Sequence, residues 1–99
     1  VIGGEARAGS VARMPEISRF YGIVIRLHFA DHNPPHFHAS YQGRTVEVDI
    51  GTLAVLDGAI AARALGLVME WAAVHRPELE ANWRRASAGE PVERIAPLA

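Results

Sequence analysis

The chain contains no cysteine, which excludes both a disulfide framework and a thiolate-held metal site. It also lacks an excess of either charge. Ten basic residues stand against eleven acidic ones, a formal net charge of -1 with histidine neutral. Nucleic-acid binding driven by overall charge shows a basic footprint, and this chain has none, although a local basic patch is not excluded. No apolar stretch approaches the ~20 residues a helix needs to cross a bilayer, and nothing reads as a secretory signal. These absences point to a cytoplasmic protein with no membrane partner. What the chain does have is apolar material, 49% of 99 residues. That suffices for one core, at a size where roughly 60 to 70% of the unfolded surface is buried.

The first thirteen residues, VIGGEARAGSVAR, are rich in Gly and Ala and hold no sustained period. They read as a flexible leader (residues 1–13), outside a single patterned domain over residues 14–99. Along Phe20 to Phe29, Ile23, Ile25, Leu27 and Phe29 alternate with Val24, Arg26 and His28, the period of a strand. His36 to Tyr41 alternates again, with Phe37, Ala39 and Tyr41 on the apolar side. Gln42-Gly43 is a two-residue hairpin turn, and Arg44 to Ile50 a third strand with Val46, Val48 and Ile50 inward.

Asp57 is a good N-cap, and the spacing of Ile60, Ala64, Leu67, Trp71 and Val74 predicts a helix after it. Pro77 ends that helix and opens a second, whose stripe is Leu79, Trp83 and Ala86. The tail presents Val92, Ile95 and Leu98 as a strap. The expected fold is α+β: a three-stranded antiparallel sheet, four-stranded if Thr52 to Leu56 adds a piece, followed by two helices packed on one face.

Chemistry concentrates in one place. Four of the five histidines, His28, His32, His36 and His38, fall within eleven residues, and DHNPPHFH holds three of them. Histidine ligates metals, moves protons and senses pH. Counting outward from a two-residue turn at Gln42-Gly43 sets His38 against Glu47 and His36 against Asp49, and every apolar residue against an apolar one. One polar face then gathers Arg26, His28, His36, His38, Ser40, Thr45, Glu47 and Asp49, with the helices on the other.

Three chemistries suit that face. A His-x-His pair on a strand points both imidazoles one way. With His28 or His32 as a third ligand, His36 and His38 form a zinc or manganese site with an open position, suited to a metal-dependent hydrolase. Glu47 or Asp49 would ligate or orient an imidazole. Alternatively, His36 and His38 paired with Asp49 supply metal-free acid–base catalysis, and Arg26 holds a phosphate or oxyanion. The plainest reading is a set of cross-strand partners forming a non-catalytic docking surface. His75, at the end of the first helix, faces the helix dipole and the last-turn carbonyls.

The segments MPEISRFYGIVIRLHF (Met14 to Phe29), DHNPPHFH (Asp31 to His38) and LVMEWAAVHRPELEANW (Leu67 to Trp83) resemble a family of small, mostly bacterial proteins, domain of unknown function 4160. The resemblance covers Met14 to about Leu98. It implies a component of a bacterial two-gene module of the toxin–antitoxin type, with a small cognate partner protein and RNA or translation as the target. It carries over no catalytic residues.

Overall fold

The computed structural model describes residues 14–29 and 32–99; the leader expected over residues 1–13 lies outside the described residues. Two hairpins with the same turn chemistry organise the first half. Strands β1 (Glu16–Phe20) and β2 (Ile23–Arg26) are joined by Tyr21-Gly22, and β3 (His36–Tyr41) and β4 (Arg44–Asp49) by Gln42-Gly43. Both central residues of each turn have positive φ, 50° and 80° in the first and 49° and 80° in the second. That backbone matches the right-handed twist of flanking strands, and glycine enters it at the second position without a steric penalty. A fifth strand, β5 (Val55–Gly58), completes an antiparallel sheet in the order β1-β2-β3-β4-β5.

The sheet therefore has five strands where the sequence pattern suggested three or four. The extra strand at the front arises because the apolar run from Phe20 conceals a reversal at Tyr21-Gly22, with β1 lying upstream of it. At the other edge, all four residues of β5 are exposed, so no hydrophobic alternation announces them. Asp57 belongs to β5, opposite Glu47, and not to a helix cap. The β3–β4 register runs from Tyr41 against Arg44 to His36 against Asp49, as the turn and the alternation required.

Helix α1 (Ala62–Val74) starts behind Ala61, which offers no side-chain cap. Its buried face is Ala64, Val68, Trp71 and Ala72, and Val74, expected on the apolar stripe, is 67% exposed. Helix α2 (Arg76–Ser87) follows at once, with Pro77 in its first turn and Leu79, Asn82, Trp83 and Ala86 buried. His75 separates the two helices. Its ring engages Glu78 of α2, Nδ1 to Oε1 2.5 Å, while its backbone amide donates to the Trp71 carbonyl in the last turn of α1 at 3.1 Å.

Trp71 ties the layers together. It packs on Phe20 and Phe37 of the sheet, and its indole N–H donates to the Ala96 carbonyl, 2.8 Å away. The tail does act as a strap: Ile95 is buried and its amide donates to the Ile17 carbonyl at 2.7 Å, covering the β1 edge. Asn82 holds Glu93, two residues earlier, donating to its carbonyl and accepting its amide. No helix among the described residues is long and apolar enough to cross a membrane.

Candidate functional site

The site is built by alternation on three adjacent strands. Phe37 and Ala39 of β3 and Val46 and Val48 of β4 turn into the core. Their neighbours His36, His38, Ser40, Thr45, Glu47 and Asp49 therefore share the opposite face. Arg26 of β2 pairs with His38 across the β2–β3 ladder and joins that face. Ser40 and Thr45 are joined hydroxyl to hydroxyl at 3.1 Å.

The four histidines form a contiguous row of rings. His28 lies flat on His38, with centroids 4.0 Å apart and planes 14° apart. His38 meets His36 edge-on at 5.1 Å, and His36 meets His32 at 5.6 Å. His36 stands where the polar face meets the core. It is only 2% exposed, and the indole of Trp83 packs on it with centroids 5.4 Å apart. Reaching this histidine is a role for Trp83 that its place on the α2 stripe did not reveal.

The two nitrogens of His36 face different surroundings. Nδ1 lies 2.7 Å from the Pro34 carbonyl oxygen. A carbonyl can only accept, so Nδ1 carries the proton of the neutral ring and Nε2 carries the lone pair. Nε2 is 3.7 Å from Glu47 Oε1. His36, His38 and Glu47 each present one ligand-type atom, all within 4.8 Å of one another. His28 and His32 flank this group. The Nδ1 of His32 sits 3.2 Å from the Asn33 carbonyl oxygen.

Asp49 is opposite His36 in the backbone register, but its carboxylate turns towards the loop that follows β4. Its Oδ1 accepts the Thr52 amide at 2.9 Å, and its backbone amide and carbonyl bond Ala54 and Leu53. Among the described residues, the carboxylate beside His36 is that of Glu47, one turn-ward position along the same strand face. A separate cavity of about 370 Å³, lined by Tyr21, Tyr41, Arg63, Leu67, Glu70 and Leu98 among others, shares no residue with the histidine face.

A further electrostatic feature lies off this face. The Arg19 side chain, hydrogen-bonded to Glu16 at 2.7 Å and joined by Arg94, lowers the Glu16 carboxyl from 4.5 to about 2. The result is a clamp between β1 and the tail.

No curated protein and no solved structure matches the chain significantly. The family model of a domain of unknown function (DUF4160) matches residues 22–84. That segment spans β2 to most of α2 and contains every residue of the histidine face. With well over half of its length matched, the chain belongs to the DUF4160 family.

Proposed function

We propose that this protein is one component of a bacterial two-gene module of the toxin–antitoxin type, and that its histidine-bearing sheet face is the working surface, acting on RNA in the cytoplasm and masked by a small cognate partner protein. The observation that supports this reading is the gathering of four imidazoles, the Glu47 carboxylate and the Arg26 guanidinium on one sheet face. These are the parts that phosphodiester chemistry uses: imidazole to move a proton, carboxylate to orient it, and guanidinium to hold a phosphate oxygen. In the proposed roles His36 and His38 are the catalytic histidines, Arg26 binds the phosphate, and Asp49 supports them by shaping the turn after β4.

The net charge of -1 gives the chain little long-range attraction for a polyanion. Recognition therefore rests on local contacts at the face, and its salt dependence is shallow. Expression of the protein alone in a bacterial host tests the reading. Growth arrest relieved by His38→Ala or Arg26→Ala, with unchanged circular dichroism, supports chemistry at the face. Arrest indifferent to both substitutions, or no arrest, overturns it and favours a non-catalytic interaction module.

A further inference from the structure

The cavity of about 370 Å³ lies at the end of the sheet where both hairpins turn, and it shares no residue with the histidine face. We propose that it is a binding site for a guanine mononucleotide, with the phosphate held by Arg63 and Arg44, the base laid on Tyr41, and the donor edge of guanine on Glu70. Helix α1 supplies one wall. Arg63, Leu67 and Glu70 follow the i, i+4, i+7 spacing of a single helix face, and all three line the cavity. The helix therefore presents a cation, an apolar side chain and a carboxylate in that order, with about 10 Å of axis between the first and the last. That is close to the span from the phosphate of a purine nucleotide to the far edge of its base. The volume falls within the roughly 300–1,000 Å³ of small-molecule sites.

The opposite wall comes from the hairpin turns, which the pairing of Ile23 with Tyr41 places side by side. Tyr41 is partly buried against the core, and it lines both this cavity and a smaller neighbour of about 160 Å³ that takes in Arg44 and Ala61. Arg44 stands directly opposite Tyr41 in the β3–β4 register. Two arginines thus share one aromatic wall near the start of α1. That helix has no acidic residue in its first turn, so a phosphate there meets no carboxylate from it. Aromatic faces accept stacked bases, and guanidinium groups take phosphate oxygens in pairs. Tyr21 is held at the rim, its hydroxyl donating to the Ala99 carbonyl at 3.0 Å. Glu70 decides the base. A carboxylate only accepts hydrogen bonds. Guanine offers it two adjacent donors, N1–H and the 2-amino group, whereas adenine and cytosine set a ring-nitrogen lone pair beside their one amino group. Among the described residues, Arg44, Arg63 and Glu70 make no hydrogen bond or ion pair with another side chain, which leaves all three for a ligand.

Calorimetric titration of the full chain with GMP tests the site, with AMP and inorganic phosphate alongside. The expected result is one GMP per chain, with AMP at least about 10-fold weaker and phosphate alone more than about 100-fold weaker. Arg63→Gln should weaken GMP and AMP alike, by about 10-fold or more, while Glu70→Gln should remove most of the preference for GMP. Both residues are exposed on α1, so neither substitution disturbs the core. Amide spectra supply the location: signals of Tyr41 and Leu67 should shift on GMP addition while those of His36 and His38 stay in place. No saturable GMP binding at millimolar concentration, equal affinity for AMP, an affinity that neither substitution changes, or shifts confined to the histidine face overturns the site. Growth arrest plays no part in these readouts, so the nucleotide site and the proposed function stand or fall separately.

Discussion

The imidazole of His36 packs on the indole of Trp83, with ring centroids 5.4 Å apart and planes 48° apart. A residue on the polar sheet face is thereby built into the core, and the row of histidines is fixed at one of its two inner members. His36→Ala should cost about 2–4 kcal/mol, since it opens space beside Trp83 and removes the partner of the Pro34 carbonyl. His38→Ala, at a partly exposed position, should cost no more than about 1 kcal/mol. Urea denaturation of the two variants measures the difference. Equal costs would refute the anchoring role of His36.

Asn82 controls the tail. Its side-chain amide is buried, donates to the Glu93 carbonyl at 2.7 Å and accepts the Glu93 amide at 2.9 Å. Asn82→Ala should destabilise by roughly 1–3 kcal/mol through the unpaired groups it leaves. Local opening should precede global unfolding. Hydrogen exchange at the Ile95 amide, bonded to Ile17, should therefore accelerate while β3 and β4 amides remain protected. An unchanged Ile95 rate would show that the strap is held by its apolar contacts alone.

Gly58 closes β5 against β4. It has φ of +76°, and a Cβ placed on it would overlap the Thr45 carbonyl oxygen. Gly43 has a similar φ of +80° but open space around it. Gly43→Ala should show only the backbone term, about 1–3 kcal/mol. Gly58→Ala should exceed it, because the clash is with backbone that cannot rotate away. Thermal unfolding of the two single variants reads the difference, and equal losses would refute the close approach.

The Glu16 clamp predicts a defined acid response. With its carboxyl lowered from 4.5 to about 2, Glu16 stabilises the fold fully above the unfolded value, and that stability is lost as pH falls from 4.5 towards 2. Glu16→Gln should flatten the pH dependence across that window. Both arginine partners are well exposed, so raised salt should shrink the effect. A variant with the same acid profile as the wild type would refute the clamp.

Much of the site is legible in the sequence, for local reasons. Gln42-Gly43 sets a two-residue turn, and a period of two on each side then leaves one register in which apolar residues meet apolar ones. His36, His38, Glu47 and Arg26 follow onto one face without reference to the rest of the molecule. The second helix was equally readable, because Pro77 and the Leu79, Trp83 and Ala86 stripe are local signals.

What escaped was decided by packing over distance. Tyr21-Gly22 turns the chain within an unbroken apolar run, so hairpin and single strand share one hydrophobic pattern. β5 is recognisable only by its ladder to β4, which also draws Asp57 away from the helix it would have capped. The register set His36 opposite Asp49, but register fixes backbones and not side-chain torsions. The loop after β4 took the Asp49 carboxylate, leaving Glu47 beside the imidazoles. The sequence by itself determined which residues share the histidine face, because strand alternation and turn geometry are local. Only the tertiary structure decided which nitrogen of His36 points into it and what holds that ring, because the Pro34 carbonyl and the Trp83 indole meet there through the folding of separate segments.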